Sequence, residues 1–356
     1  MNKLLLTAIA AFMTLACSAP NESTSRGAPD TLGGSASGSW LIPEDEIYDG
    51  GPGKDGIPAL TDPDMGTSLS ASYLAETDLV IGVRVGDSYK AYPHAILDWH
   101  EIINDNIGGR PLAILYCPLT GSGIGWSRRI RGQVTTFGVS GLLYNSNLIA
   151  YDRATDSNWS QMKLQSVQGT LSAAHVNTYP VIETEWGTWK QMAPRTQVVT
   201  ENTGYDRAYG RYPYGDYKTN HSKLVFPVSH TDERLPGKTR VLGVIVSGAS
   251  KAYPINSFGD LDVINDNIGG QPVVIIGSST HNFAVAYERR VNGEVPEFKP
   301  AADEALPLVM TDTSGSTWSV FGRAVDGSRA GELLQSADSF VAYWFAWAAF
   351  YPDTEL

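Results

Sequence analysis

Val80-Ile81-Gly82-Val83-Arg84-Val85-Gly86-Asp87-Ser88-Tyr89-Lys90-Ala91-Tyr92-Pro93 decides the fold, because it returns 161 residues later as Val241-Leu242-Gly243-Val244-Ile245-Val246-Ser247-Gly248-Ala249-Ser250-Lys251-Ala252-Tyr253-Pro254. The same offset carries Ile103-Asn104-Asp105-Asn106-Ile107-Gly108-Gly109 onto Ile264-Asn265-Asp266-Asn267-Ile268-Gly269-Gly270, and the match runs ungapped to Pro111/Pro272. The chain therefore contains an internal duplication. Within each copy, apolar alternation broken by Gly-Asp or Ser-Gly predicts a hairpin of two strands. Asn-Ile-Gly-Gly predicts a second turn, since only glycine takes positive φ cheaply. What both copies keep reads as architecture, and what only one carries reads as a candidate for chemistry.

Working outward, Pro111 to Tyr116 is an apolar run of strand length that delivers Cys117-Pro118 to its end, where proline stops the ladder. Residues 94–103 fit a short helix and an extended segment equally well. A hairpin is expected around Arg131-Gly132, then a strand at Asn147 to Asp152. The apolar stretch from Ala337 to Phe350 reads as a buried core helix. The expected class is β-rich α+β: two tandem pseudo-repeat lobes of short antiparallel strands with a buried C-terminal helix. The lobes are expected at 40–170 and 240–335, an unduplicated connector rich in Tyr at 171–239, and the apolar helix and tail at 336–356.

Residues 1–16 read as an export signal, with Lys3 ahead of an apolar run from Leu4 to Ala16. Cys17 after Leu15-Ala16 matches the acylation site of bacterial lipoproteins, although Thr14 stands where an aliphatic residue is preferred. Residues 17–39, rich in Ser, Gly, Ala and Pro, read as a flexible tether. The expectation is an exported lipoprotein of the bacterial cell envelope, held to a membrane and facing the periplasm or exterior. The net charge of -12, with no basic stripe, excludes nucleic acid as a partner. With Cys17 acylated, Cys117 is the only thiol left, so no intramolecular disulfide is expected.

Five strings carry a resemblance: His100-Glu101-Ile102-Ile103-Asn104-Asp105, Tyr116-Cys117-Pro118-Leu119-Thr120-Gly121-Ser122, the stretch Phe137 to Asn145, the stretch Tyr151 to Gln161, and the stretch Trp344 to Thr354. Together the chain resembles domain-of-unknown-function family 3179 over residues 75–354. The resemblance assigns no activity. In that family the Cys-Pro-Leu string often continues with a second cysteine. Thr120 stands there in this chain, which weakens any dithiol mechanism the resemblance implies.

The duplication then filters the candidates. At offset 161, His94 faces Ile255, His100 faces Leu261, Glu101 faces Asp262, Cys117 faces Ser278 and Thr120 faces His281, so thiol and imidazole belong to the first copy alone. A hairpin pairing 100–105 with 110–117 is expected to bring His100 and Cys117 together. Imidazole and thiolate suit a soft or borderline metal, copper or zinc, with Glu101 as a further ligand. Alternatively the imidazole activates Cys117 as a nucleophile or redox thiol. The competing expectation is a non-catalytic extracytoplasmic module that binds a small molecule or a protein in a pocket between the lobes, lined by Tyr and Trp. His100-Glu101 is not a zincin helix, since Asn104 stands where the second histidine belongs. Gly138 to Leu142 lacks the closing glycine of a nucleophile elbow. Asp152 and Asp312, each ahead of a tryptophan, read as turn-capping groups. The pairs Arg128-Arg129 and Arg289-Arg290 read as solvated strand residues.

Overall fold

A computed structural model describes residues 38–301 and 304–356. The expected signal segment, Cys17 and nearly all of the expected tether lie outside the described residues. The fold is β-rich α+β, with several sheets and only short helices. Among the described residues no helix is long and apolar enough to cross a membrane.

The duplicated strings fold into the same pairings. Leu79–Val85 pairs antiparallel with Ser88–Pro93, and Arg240–Val246 pairs in the same register with Ala249–Pro254. Ile102–Ile107 then pairs with Arg110–Cys117, as Asp262–Ile268 does with Gln271–Ser278. The shared polar residues are latches between these hairpins. Lys90 Nζ and Tyr92 Oη both donate to Asp105 Oδ2, at 2.7 and 2.6 Å, and Lys251 and Tyr253 hold Asp266 Oδ2 at 2.9 and 2.7 Å. Asn104 bonds both the N–H and the carbonyl of Phe137, and Asn265 does the same to Phe298. Each amide side chain thus closes a two-bond bridge to a neighbouring strand, satisfying backbone groups that burial would otherwise leave unpaired.

The recurrence extends further than the sequence reading placed it. Trp186 and Trp189 on helix α2 (Trp186–Met192) correspond, at an offset of 158, to Trp344 and Trp347 on helix α3 (Trp344–Phe350). The strand Ile182–Glu185 before α2 lies beside Leu79–Val85, and Asp338–Tyr343 before α3 lies beside Arg240–Val246. The indole nitrogens of Trp189 and Trp347 donate to the hydroxyls of Thr196 and Thr354, each at 2.9 Å. The expected single helix over 337–350 is therefore a strand followed by a helix of seven residues. An apolar run buried on all sides has no period by which to tell one from the other.

One eight-stranded sheet takes strands from both copies: Asp338–Tyr343 lies between Arg240–Val246 and Ser122–Ser127. Asp152 and Asp312 accept the indole N–H of Trp159 and Trp318 at 3.0 Å and cap the following turns, as expected. Arg128 departs from expectation. It is buried and donates to the carbonyls of Asp105, Leu112 and Thr135, so it ties strands together.

Candidate functional site

Within the ungapped stretch, the copies differ in fold between Pro93 and Ile102. Here the first copy builds helix α1 (His94–His100), whereas the second makes only a 3-10 turn at Ile255–Ser257. Proline at 93 fixes φ for entry into the helix. The exit is Glu101, whose backbone lies at φ 56°, ψ -33°, with its N–H bonded to the Leu97 carbonyl at 2.8 Å. A side-chain-bearing residue held there is strained, and such strain concentrates at functional positions. The turn re-aims the chain so that Ile102 enters its strand while the Glu101 carbonyl accepts the Tyr116 N–H at 2.7 Å.

The Glu101 carboxyl faces a cavity of about 130 Å³, walled by Ile57, Leu119, Leu148, Tyr214 and Val225. Glu101 is the only ionisable carboxyl on that wall. It has no side-chain hydrogen bond among the described residues. Burial, reinforced by the charge of Asp98, pushes it up to about 8. At neutral pH it is therefore a protonated acid, able to donate one hydrogen bond. Cys117 sits beside it at the end of its strand, buried, its thiol donating to the Ser146 carbonyl at 3.7 Å. Burial, then the neighbouring Glu101, pushes the thiol up to about 11.

Deeper, towards the second copy, α1 contributes His94 and Asp98 to a buried charged layer. Arg240 donates to Glu183 at 2.8 Å, Lys218 to Asp98 at 3.1 Å, and the His94 ring packs on Tyr116 with centroids 4.0 Å apart. Burial lowers His94 well below the usual histidine range, so it is neutral. Burial raises Asp98 to about 6 against the opposing pull of Lys218. Nδ1 and Nε2 of His94, Oδ1 of Asp98 and Oε2 of Glu183 are buried and make no hydrogen bond among the described residues. Beside Cys117, Lys238 is buried with its ammonium 3.4 Å from the centroid of the Tyr217 ring and 4.3 Å from that of Phe345, and burial lowers it to about 7.

These positions correct the expected metal site. His100 ends α1 with Nδ1 2.7 Å from the Pro58 carbonyl and Nε2 2.7 Å from Tyr209 Oη. A carbonyl only accepts, so Nδ1 carries the proton, Nε2 accepts from Tyr209, and no ring nitrogen is left for a metal. Cys117 is a protonated thiol with different partners, and no hydrogen bond joins it to His100. The hairpin forms as expected, but Glu101 leaves the strand conformation one residue before the pairing begins. Among the described residues no group of three or more His, Cys, Asp or Glu side chains is placed to hold a metal ion. A copper or zinc site on Cys117, His100 and Glu101 is thereby overturned. No disulfide is present among the described residues, where Cys117 is a free, buried thiol. The His/Cys-centred redox site falls with the metal site.

Sequence reasoning did not reach Asp98, Glu183, Lys218, Lys238 or Arg240, which come from four separate segments. A signal existed for Asp98, which faces Gly259 across the duplication. Of the connector tyrosines, Tyr209 bonds His100, Tyr214 lines the cavity and Tyr217 packs under Lys238.

With this geometry in place, comparison with known proteins gives one match. The family described as Protein of unknown function (DUF3179) covers residues 54–354, and the chain belongs to that family. No curated protein and no solved structure matches significantly.

Proposed function

We propose that this chain binds a small, largely apolar molecule carrying one amine or one neutral hydrogen-bond-accepting group, in the cavity beside Glu101, where a second carboxylate would bury an unpaired negative charge. The observation that carries the reading is a carboxyl with no side-chain hydrogen bond on an otherwise nearly apolar wall. A buried polar group without a partner costs free energy that a complementary ligand recovers. Mostly apolar walls with one placed polar group are the ordinary composition of small-molecule sites. Cyclohexanol, cyclohexylamine and cyclohexanecarboxylate test the reading, followed on the methyl resonances of Leu119 and Leu148. The alcohol and the amine are expected to shift these saturably and the carboxylate is not. Val225 is 47% exposed at the mouth. Val225→Trp is expected to abolish the shifts without loss of folding, and Glu101→Gln to weaken the amine about tenfold. Shifts unchanged in Val225→Trp, or absent in the parent protein, would sink the proposal.

The wider organisation belongs to the same reading. The matched hairpins, latches and tryptophan helices support two tandem β-rich lobes, at 40–199 and 240–356, with 200–239 as a connector whose Tyr214 and Val225 line the first lobe's cavity. Residues 1–17 support export and acylation at Cys17. A Cys17→Ser variant is expected to leave the detergent-extracted membrane fraction and appear with soluble envelope proteins. Unchanged membrane retention would count against the anchor.

A further inference from the structure

A second cavity, of about 220 Å³, opens where the strand Leu79–Val85 of the first copy meets Phe283–Glu288 and the segment 321–339 of the second. Arg84 and Arg323 line it, one from each copy, and no Asp or Glu does. Neither arginine has a salt-bridge partner among the described residues, so the cleft carries positive charge with no carboxylate on its lining. Arg84 uses only Nε, donating to the Gly86 carbonyl at 3.0 Å, and its terminal nitrogens make no hydrogen bond among the described residues. The Arg323 guanidinium makes no hydrogen bond among the described residues.

Arg84 is also held in place. Its guanidinium carbon lies 5.8 Å from the Tyr89 ring centroid and 5.3 Å from that of Phe321, two rings that themselves pack edge to face at 5.7 Å. Stacking of this kind fixes a planar cation while leaving its edge free for a bidentate acceptor. The aromatic lining is committed elsewhere in its polar atoms: Tyr179 Oη donates to the Arg84 carbonyl at 2.9 Å and Tyr287 Oη to that of Val320 at 2.7 Å. Those rings therefore offer apolar faces. Ser336 and Ser339, which also line the cavity, have side-chain hydroxyls without a hydrogen bond among the described residues. The duplication marks the same place, since Ile245 stands opposite Arg84 in the second copy.

We infer that this cleft is a second binding site, for a small organic carboxylate whose acid group meets Arg84 and Arg323 and whose apolar body lies against Phe321. The inference is independent of the Glu101 cavity, where a carboxylate is disfavoured. Benzoate, benzyl alcohol and inorganic phosphate, titrated against the full chain and followed on the methyl resonances of Ile182 and Leu334, test it. Benzoate is expected to bind saturably, with benzyl alcohol and phosphate at least about tenfold weaker, because one lacks the charge and the other the apolar body. Arg84→Gln and Arg323→Gln are each expected to weaken benzoate about tenfold while both variants keep a cooperative unfolding transition in urea. Val225→Trp, which closes the other cavity, is expected to leave benzoate binding intact. The assignment is overturned by absent benzoate binding, by full affinity in the double arginine variant, or by phosphate or benzyl alcohol binding as tightly as benzoate.

Discussion

Replacing Gly243 with alanine is expected to cost the fold about 3 kcal/mol or more, at the upper end of what overpacking a core does. A Cβ added there would stand 2.0 Å from Cζ3 and 2.3 Å from Cη2 of Trp347. The indole cannot retreat: it is fully buried, donates to Thr354, stacks on Tyr351 with centroids 4.3 Å apart and meets the edge of Phe340 at 5.3 Å. Gly82→Ala is expected to do the same in the first copy, since its Cβ would fall 2.3 Å from the ring of Trp189. Urea unfolding measures both, with Gly210→Ala as the control, because Gly210 has open space around it. A Gly243→Ala variant within about 0.5 kcal/mol of the parent would contradict this account of why glycine occupies both positions.

Glu101→Gln is expected to stabilise the protein at pH 8 by on the order of 4 kcal/mol while changing little at pH 4.5. The carboxyl titrates near 4.5 when the chain is unfolded and at about 8 when folded. Between those values the unfolded chain has released a proton that the folded chain still holds. Stability therefore falls as pH rises through that window and levels off above it. The amide keeps the shape of the side chain and never ionises, so it removes this decline. Lys238 acts in the opposite sense: lowered from 10.5 to about 7, it adds stability as pH rises across that higher window. The comparison is accordingly between variant and parent at each pH, read from urea unfolding. Parallel curves from pH 4.5 to 8 would show that Glu101 is not a buried acid held protonated by its surroundings.

Much of the frame was legible in advance. The ungapped match from Val80 to Pro111 identified the hairpins and their turns, and the family strings marked the chain over most of its length. The match lost its thread where spacing changed. Trp186-Gly187-Thr188-Trp189 with Pro194 and Thr196 repeats as Trp344-Phe345-Ala346-Trp347 with Pro352 and Thr354, but at 158 rather than 161, so a fixed offset passed over it. The Lys-Ala-Tyr-Pro and Asn-Asp-Asn strings looked like turns and scaffold, and their side chains are the latches between strands. Filtering by disagreement between the copies selected the stretch from His94 to Cys117, where the structure gathers His94, Asp98, Glu101 and Cys117. It paired the wrong partners. His100 and Cys117 were joined by assuming that the strand began at 100, and the left-handed turn at Glu101 breaks that continuity.

The sequence by itself determined the duplication, the strand pattern, the glycines at 82 and 243, and the restriction of thiol and imidazole to the first copy, because these depend on spacing and on local conformational preference. Only the tertiary structure decided which ionisable groups share a site. Lys218 and Lys238 from the connector, Glu183 from before α2 and Arg240 from the start of the second copy converge on α1 and Cys117 across separations of about 60 to 145 residues. Nothing local fixes such contacts. They follow from burying one apolar core against another, and burial is also what turns Glu101 from an ordinary surface acid into a protonated group facing a cavity.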